Sequence, residues 1–177
     1  MHTRILLVLA CLLSFSVAAR PAQGAPKSAH AKIMNAQGAE IGSAKLTPTA
    51  QGVKIAIRVS QLAPGEHGIH VHAVGKCEGP AFTSAGGHFN PTNAHHGVHS
   101  TEEPHPHLGD LPNLMVHENG NGKATFTVNG VTLGEGPNSL FHEGGTSLVI
   151  HADADDLKSD PAGNSGARIA CGVIEQE

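Results

Sequence analysis

The sequence predicts an all-β fold, an antiparallel sandwich or barrel of about eight short strands, on three observations. Short apolar or alternating segments recur along the chain, and none shows sustained helical periodicity. Gly (22) and Pro (11) are frequent, which favours strands joined by turns over long helices. Trp and Tyr are absent and Phe numbers only 5, so a core of Val, Ile, Leu and Ala is expected in this one-domain chain of 177 residues.

The strand segments follow one another at short intervals. Residues 53–59 alternate apolar with polar or small side chains, as a half-buried strand does. Asn35-Ala36-Gln37-Gly38 and Asn119-Gly120-Asn121-Gly122 are turn signals between antiparallel strands. The predicted strands are 32–34, 40–46, 53–59, 68–74, 114–116, 124–128, 146–151 and 167–174.

Two segments do not fit a plain sandwich. Residues 75–111 are rich in Gly, Pro, His and Asn, and residues 153–166 form a second irregular stretch. A long loop without secondary structure in a compact domain is usually functional or disordered. Ordering it costs about 1–2 kcal/mol per residue, so we expect bound metal and a covalent tether to offset that cost.

The N-terminus predicts export. A short basic start that includes Arg4 precedes an apolar run over residues 5–19, and small residues follow it. This pattern predicts a signal peptide over residues 1–24, cleaved after Ala19 or Gly24, and a mature domain over residues 25–177. The alternative, a membrane span, needs a longer apolar run. We therefore expect a periplasmic or secreted protein without stable membrane association.

Charge and cysteine content support this reading. The formal charge is −4, and removing residues 1–24 leaves 9 Lys and Arg against 15 Asp and Glu, or −6, so nucleic acid is not an expected partner. Of the 3 cysteines, only Cys77 and Cys171 lie in the mature domain. In an exported chain they predict one disulfide, and the alternative is two independent buried thiols.

Histidines are the unusual feature. There are 14, and nine of them lie from His67 to His107. His70 and His72, two apart on a predicted strand, point to the same side. Imidazoles together with Asp110 suit zinc or copper and would not suit calcium. Spacing alone leaves the choice of loop ligands open among His95, His96, His99 and His105, and a solvated His-rich loop is the alternative.

Two further residues are of interest near the C-terminus. His151 ends a predicted strand, where a polar residue without a metal role would be the more common finding. Arg168 is one of two arginines in residues 25–177 and lies three residues before Cys171. An arginine fixed beside a metal forms an anion site, although a surface arginine that caps carbonyl groups is the more ordinary reading.

These elements, in this order, closely resemble the copper,zinc superoxide dismutase family, bacterial secreted branch, over residues 66–174. The family implies an eight-stranded antiparallel Greek-key β-barrel or sandwich, immunoglobulin-like, with two long loops. The stretches that carry the resemblance are Gly68-Ile69-His70-Val71-His72, Ser84-Ala85-Gly86-Gly87-His88-Phe89-Asn90-Pro91, His107-Leu108-Gly109-Asp110, Leu148-Val149-Ile150-His151 and residues 163–174.

The resemblance implies two metals per subunit. The implied copper ligands are His70, His72, His88 and His151. The implied zinc ligands are His88, His96, His107 and Asp110. His88 would bridge the two ions, Asp155 would link a copper ligand to a zinc ligand, and Arg168 would guide the anion. His67 matches a position that hydrogen-bonds backbone and has no implied metal role.

The implied reaction is the dismutation of superoxide to dioxygen and hydrogen peroxide by a redox-cycling copper, with a structural zinc and His88 as proton carrier, in antioxidant defence outside the cytoplasm. Superoxide is the expected partner, and a homodimer is possible. The loop from His96 to His107 is longer and that from His151 to Arg168 shorter than in eukaryotic members, so other steering residues and the dimer surface are not implied. Alternatives from other classes are a periplasmic copper-delivery protein and a zinc-only hydrolase.

Overall fold

The computed structural model describes residues 28–104 and 106–177, and the predicted signal peptide lies outside them. Ten strands and one 3-10 turn, Thr83–Ala85, lie within these ranges. The strands are β1 (Ala29–Asn35), β2 (Glu40–Pro48), β3 (Gly52–Val59), β4 (Gly65–His67), β5 (Ile69–His72), β6 (Leu114–Val116), β7 (Gly122–Asn129), β8 (Ser147–His151), β9 (Arg168–Val173) and β10 (Glu175–Gln176). No helix in the described ranges has the length and apolar character needed to cross a bilayer.

All ten strands belong to one antiparallel sheet, which closes on itself. The neighbours run β4-β6-β7-β3-β2-β1-β9-β8-β5, and β10 pairs with β1. Only Gly68 separates β4 from β5, so a single pass of the chain pairs with β6 at one end of the order and with β8 at the other. Only Ile174 separates β9 from β10. The ten strands therefore make eight passes, and the predicted all-β antiparallel barrel is confirmed.

The connection order is that of a Greek key. β3 pairs with β7 along its whole length, from Gly52↔Asn129 to Val59↔Gly122, while β4, β5 and β6 intervene in sequence. In the closed order, β2 and β3 lie across the barrel from β5 and β8. This separation gives the barrel two distinct sides.

Small aliphatic residues fill the barrel, as composition predicts. Ile33, Leu46, Ile55, Leu114 and Leu148 are fully buried in one contiguous core. β1 begins three residues earlier than predicted because Ala29 and Ala31 continue the buried face of Ile33, and alanine is a weak apolar signal in sequence. The predicted strand 68–74 corresponds to β5, and β4 precedes it as a separate, unpredicted strand, because the chain switches pairing partners at Gly68.

Two constraints hold the long loops against the barrel. The Gly68 N–H donates to the Asp153 carbonyl at 2.8 Å, and a Cβ at position 68 would lie 2.7 Å from the Ser165 Cβ, so this close approach requires glycine. Cys77 and Cys171 form the predicted disulfide, which joins the first long loop to β9. Phe82, Ala85 and Val149 pack around it as a second small core.

Candidate metal centre

β5 presents His70 and His72 on the outer side of the barrel, and Ile69 and Val71 on the core side. Both histidines are nevertheless fully buried. The first long loop covers them, because it adds backbone hydrogen bonds to β5: Phe89 N–H donates to the Val71 carbonyl at 2.8 Å.

The same main-chain pairing between the loop and β5 positions polar residues of the loop beside the strand. Isolated bridges place Asp110 opposite His70 and His88 opposite His72. The Val71 N–H donates to the Gly109 carbonyl at 2.9 Å, which fixes Asp110 beside the strand. The loop residues therefore reach the histidines of β5 through regular main-chain contacts.

A first donor cluster consists of four histidines, each offering one ligand atom, with these atoms within 4.8 Å of one another. The cluster is His70, His72, His88 and His151. In each ring one buried nitrogen has no hydrogen-bond partner: His70 Nδ1, His72 Nε2, His88 Nε2 and His151 Nε2.

Hydrogen bonds from the opposite nitrogens fix the tautomers. His70 Nε2 donates to Asp155 Oδ2 at 2.7 Å, His72 Nδ1 to the Gly86 carbonyl at 2.9 Å, and His151 Nδ1 to the Gly166 carbonyl at 3.2 Å. The proton of each neutral ring is thus on the outer nitrogen, and a lone pair is on the inner one. Buried polar atoms without partners are costly, so convergent lone pairs fit a soft or borderline cation such as copper.

Burial keeps these rings neutral. Desolvation lowers the pKa of His70 to about 3, of His72 to about 2 and of His151 to about 4. Desolvation also lowers the pKa of His88. At neutral pH all four inner nitrogens can therefore act as ligands.

A second donor cluster surrounds Asp110 Oδ1 and contains His88, His96 and His107. Their Nδ1 atoms lie 2.8, 3.1 and 3.1 Å from that oxygen, and His107 Nδ1 lies 3.4 Å from His88 Nδ1. Ligands about 2.0–2.1 Å from a tetrahedral zinc ion are separated by about 3.3 Å, so the donor set fits zinc. His96 Nδ1 lies close to Asp110 Oδ1 but makes no hydrogen bond.

The carboxylate of Asp110 is held in its ionised form. Burial opposes the charge, but contacts with His107, His88 and His96 outweigh it and hold the pKa well below its usual range. Asp110 Oδ2 accepts main-chain N–H groups from Gly97 at 2.8 Å and from His107 at 3.1 Å. For His96, burial is likewise outweighed by Asp110 and Asp155, which raise its pKa to about 9.

His88 belongs to both clusters. Its Nδ1 lies in the cluster around Asp110, and its Nε2 is among the unpartnered nitrogens of the four-histidine cluster. One imidazole ring can therefore face two cations, one at each nitrogen.

Asp155 connects the two clusters, because it contacts the outer nitrogen of one ring in each of them. Its carboxylate accepts from His70 Nε2 at 2.7 Å and from His96 Nε2 at 3.0 Å. Asn113 holds the main chain of Asp155 in both directions, at 2.9 and 2.8 Å. Sequence reasoning missed Asn113, since 42 residues separate it from Asp155 and no local pattern marks it.

Arg168 lies at the mouth of the four-histidine cluster. Its guanidinium donates to the Phe82 carbonyl at 2.8 Å and to the Gly86 carbonyl at 2.6 Å, both in the loop that the disulfide tethers. A pocket of about 290 Å³ is lined by Arg168, His72, His88 and His151 among others. A small anion in this pocket would meet both the guanidinium and the unpartnered nitrogens.

The other histidines occupy different surroundings. His67 contacts the carbonyls of His151 and Ala63 at 2.8 and 2.9 Å, in line with the backbone role expected for it. His95 pairs with Asp160 at 2.6 Å on the surface, while its main-chain neighbour His96 enters the second cluster. The main-chain N–H of His99 donates to the Leu157 carbonyl. His105 lies outside the described residues.

Comparison with known proteins gives a consistent result. The family model described as copper/zinc superoxide dismutase matches residues 40–174. Superoxide dismutase [Cu-Zn] 1 of Aquifex aeolicus is 48% identical over 168 residues, 94% of this chain and 95% of its own. Superoxide dismutase [Cu-Zn] of Escherichia coli is 38% identical over 90% of this chain and 94% of its own. A superoxide dismutase-like protein from Bacillus subtilis has a crystal structure with a TM-score of 0.77 and 37% identity, covering 81% of this chain and 96% of that one.

The metal-free protein should lose stability in acid. His70, His72 and His151 have folded pKa values of about 4 or below, whereas each titrates near 6.5 when unfolded. Below pH 6.5 the unfolded chain therefore binds more protons, and the free energy of unfolding falls as pH is lowered toward about 4. Urea titrations of metal-free protein across this range measure it, and a metal-free His151→Gln variant should show a shallower slope. A free energy of unfolding that does not change with pH would contradict the neutral, buried rings.

Proposed function

Because this chain belongs to the copper/zinc superoxide dismutase family, whose members are oxidoreductases that use copper and zinc, we propose that it removes superoxide outside the cytoplasm through one copper and one zinc bound in the two clusters. The balanced reaction converts two superoxide anions and two protons into dioxygen and hydrogen peroxide. In this proposal copper binds to His70, His72, His88 and His151, and zinc to His88, His96, His107 and Asp110.

The shared ring of His88 is the observation that carries this proposal. The four histidines alone would suit a copper-binding or copper-delivery protein, and the cluster around Asp110 alone would suit a zinc site. An imidazole with one nitrogen in each cluster favours a chemistry that uses both ions together. Bound copper supplies the one-electron redox couple, whereas zinc does not change valence.

The chain's own residues provide binding and protonation. Arg168 attracts the anion by charge and offers paired N–H donors at the pocket that reaches His88 and His151. His88 Nε2 is the atom at which a proton can be taken up and passed to product, because the ring stays anchored through Nδ1 beside Asp110. Asp155 keeps the rings of His70 and His96 oriented during turnover.

Export rests on supporting observations of a different kind. Residues 1–24 carry the pattern of a signal peptide, and a disulfide joins Cys77 to Cys171. Disulfides persist in oxidising compartments and are rare in the cytosol. Fractionation of cells that produce the chain, with determination of the N-terminal residue of the exported form, tests this part of the proposal.

Metal removal should abolish the activity. Purified exported protein is expected to contain one copper and one zinc per chain and to lose superoxide dismutation on chelation, with recovery only when copper is restored. Stopped-flow decay of superoxide and metal analysis of the same samples measure this. Copper binding without any dismutation would favour the copper-delivery alternative, and binding of zinc alone, without copper or dismutation, would favour the hydrolase alternative.

Charge reversal at Arg168 should slow the reaction. Arg168→Glu places a negative charge in the pocket and is expected to reduce kcat/KM about tenfold or more while both metals are retained. Arg58→Glu, the same change on the opposite side of the barrel, is the matched control and should reduce it far less. Equal effects of the two substitutions would show that net charge matters and that the position of Arg168 does not.

Loss of the Asp155 charge should weaken zinc binding. Asp155→Asn removes the carboxylate that accepts from His70 and His96, and an outer hydrogen-bond partner of this kind contributes about 10–100-fold to metal affinity. Competition with a chromogenic chelator measures the zinc dissociation constant. Asp156→Asn is the matched control, because its carboxylate contacts Lys158, Ser159 and Asn164 and no candidate ligand. Unchanged zinc affinity in Asp155→Asn would remove the role proposed for this residue.

A further inference from the structure

Positive charge is concentrated on the outer side of β1, β2, β3 and β7. Cross-strand pairing aligns Lys32 with Ser43, Ser43 with Arg58, and Arg58 with Lys123 in one row. The next rows contain His30, Lys45, Ala56 and Thr125, and then Thr47, Lys54 and Thr127. We call these outward side chains the basic face.

The basic face is positively charged, although residues 25–177 carry a net negative charge. It holds five of the 9 Lys and Arg of residues 25–177, and its rows contain no Asp or Glu, although acidic residues total 15. Glu175 and Glu177 reach only one edge, where they pair with His30 at 3.6 Å and with Lys45 at 3.8 Å. Among the described residues, no carboxylate lies within 4 Å of Lys32, Lys54, Arg58 or Lys123.

The centre of this face carries a local electrostatic cost. Arg58 and Lys123 are directly opposite each other on β3 and β7. Like charges at such a position repel and destabilise the sheet, and among the described residues no carboxylate lies within 4 Å of either group to relieve the repulsion. An external anion bound over the pair would do so.

Two adjoining depressions meet at the same pair. One, of about 530 Å³, is lined by Arg58, Lys123, Ser60, His117 and Asn121 among others, with Glu40 as its one carboxylate. The other, of about 330 Å³, includes Arg58, Lys123, Ser43 and Lys45. Together they form a groove of mixed character, in which the hydroxyl groups of Ser43 and Ser60 and the amide of Asn121 lie among the cations. Adjacent strands are about 4.8 Å apart, so the face extends about 14 Å from β1 to β7.

We propose that the basic face binds an acidic polysaccharide, with Arg58 and Lys123 at the centre of the contact. Spaced cations match the repeated anionic groups of such a chain, and Ser, Thr and Asn side chains can hydrogen-bond its sugar hydroxyls. β2 and β3 lie across the barrel from β5 and β8, which carry His70, His72 and His151. A bound polymer therefore leaves the pocket beside Arg168 open to a small anion.

The composition of the face favours a polymer over an anionic bilayer. Surfaces that bind bilayers usually add Trp, Phe or Leu side chains that enter the interface. The exposed large hydrophobic residues of the described chain, Val98 and Met115, belong to a loop and to β6 and are not on this face. A concave groove also suits a linear chain better than a flat membrane surface.

The test measures binding of metal-loaded exported protein to polygalacturonate, with neutral dextran as the uncharged reference. We expect salt-sensitive binding to polygalacturonate and none to dextran. Lys32→Gln combined with Lys123→Gln should weaken binding about tenfold. Lys76→Gln combined with Lys158→Gln removes the same charge from exposed positions off the face and should change binding less than about twofold. Superoxide dismutation should be unchanged in the Lys32/Lys123 variant, which separates this proposal from the metal chemistry.

Three results would overturn the proposal. The first is the absence of binding to polygalacturonate even at low salt. The second is equal weakening in the two double variants, which would reduce the effect to net charge. The third is tighter binding to phosphatidylglycerol vesicles than to polygalacturonate with the same dependence on Lys32 and Lys123, which would assign the face to a membrane.

Discussion

The geometry of the site depends on how the His88 ring is held with a nitrogen in each donor cluster. This ring is on an irregular loop, yet it is positioned as firmly as a strand residue, because the loop pairs with β5 through the main chain around Val71 and Phe89. Those main-chain bonds deliver His88 and Asp110 to opposite ends of the same short strand segment that presents His70 and His72. If this pairing were lost, both clusters would lose members together.

Carboxylates and carbonyl groups then decide which nitrogen of each ring faces inward. Asp155 orients His70 and His96, the Gly86 carbonyl orients His72, and the Gly166 carbonyl orients His151. Each accepts a hydrogen bond from the N–H group of the outer nitrogen and leaves the inner nitrogen free. The selectivity of the site for borderline cations therefore comes from neutral nitrogen donors, and Asp110 adds one negative charge on the zinc side only.

The sequence predicted what regular repetition and motif order reveal. Period-2 alternation located the strands, and it placed His70 and His72 on one side of β5. Family resemblance distinguished His96 from His95, which spacing could not do; in the structure these neighbours point to different partners. The split of one pass into β4 and β5 was not predictable, because it depends on packing against Ser165 and Asp153 far along the chain. The roles of Asn113 and of the basic face could not be predicted from the sequence for the same reason, because they depend on which segments become neighbours in the fold.

The pass formed by β4 and β5 is the strand that closes the barrel. Its first half bonds to β6 and its second half to β8, so the closing strand is the one that carries His70 and His72, and its neighbour carries His151. A cation held by these three rings would bridge β5 and β8 at the point where the barrel closes. Separation of β5 from β8 would then require the ligand bonds to break in addition to the main-chain hydrogen bonds between the two strands. Loss of the ion and opening of the barrel would thereby be coupled, which would slow unfolding without any enlargement of the aliphatic core.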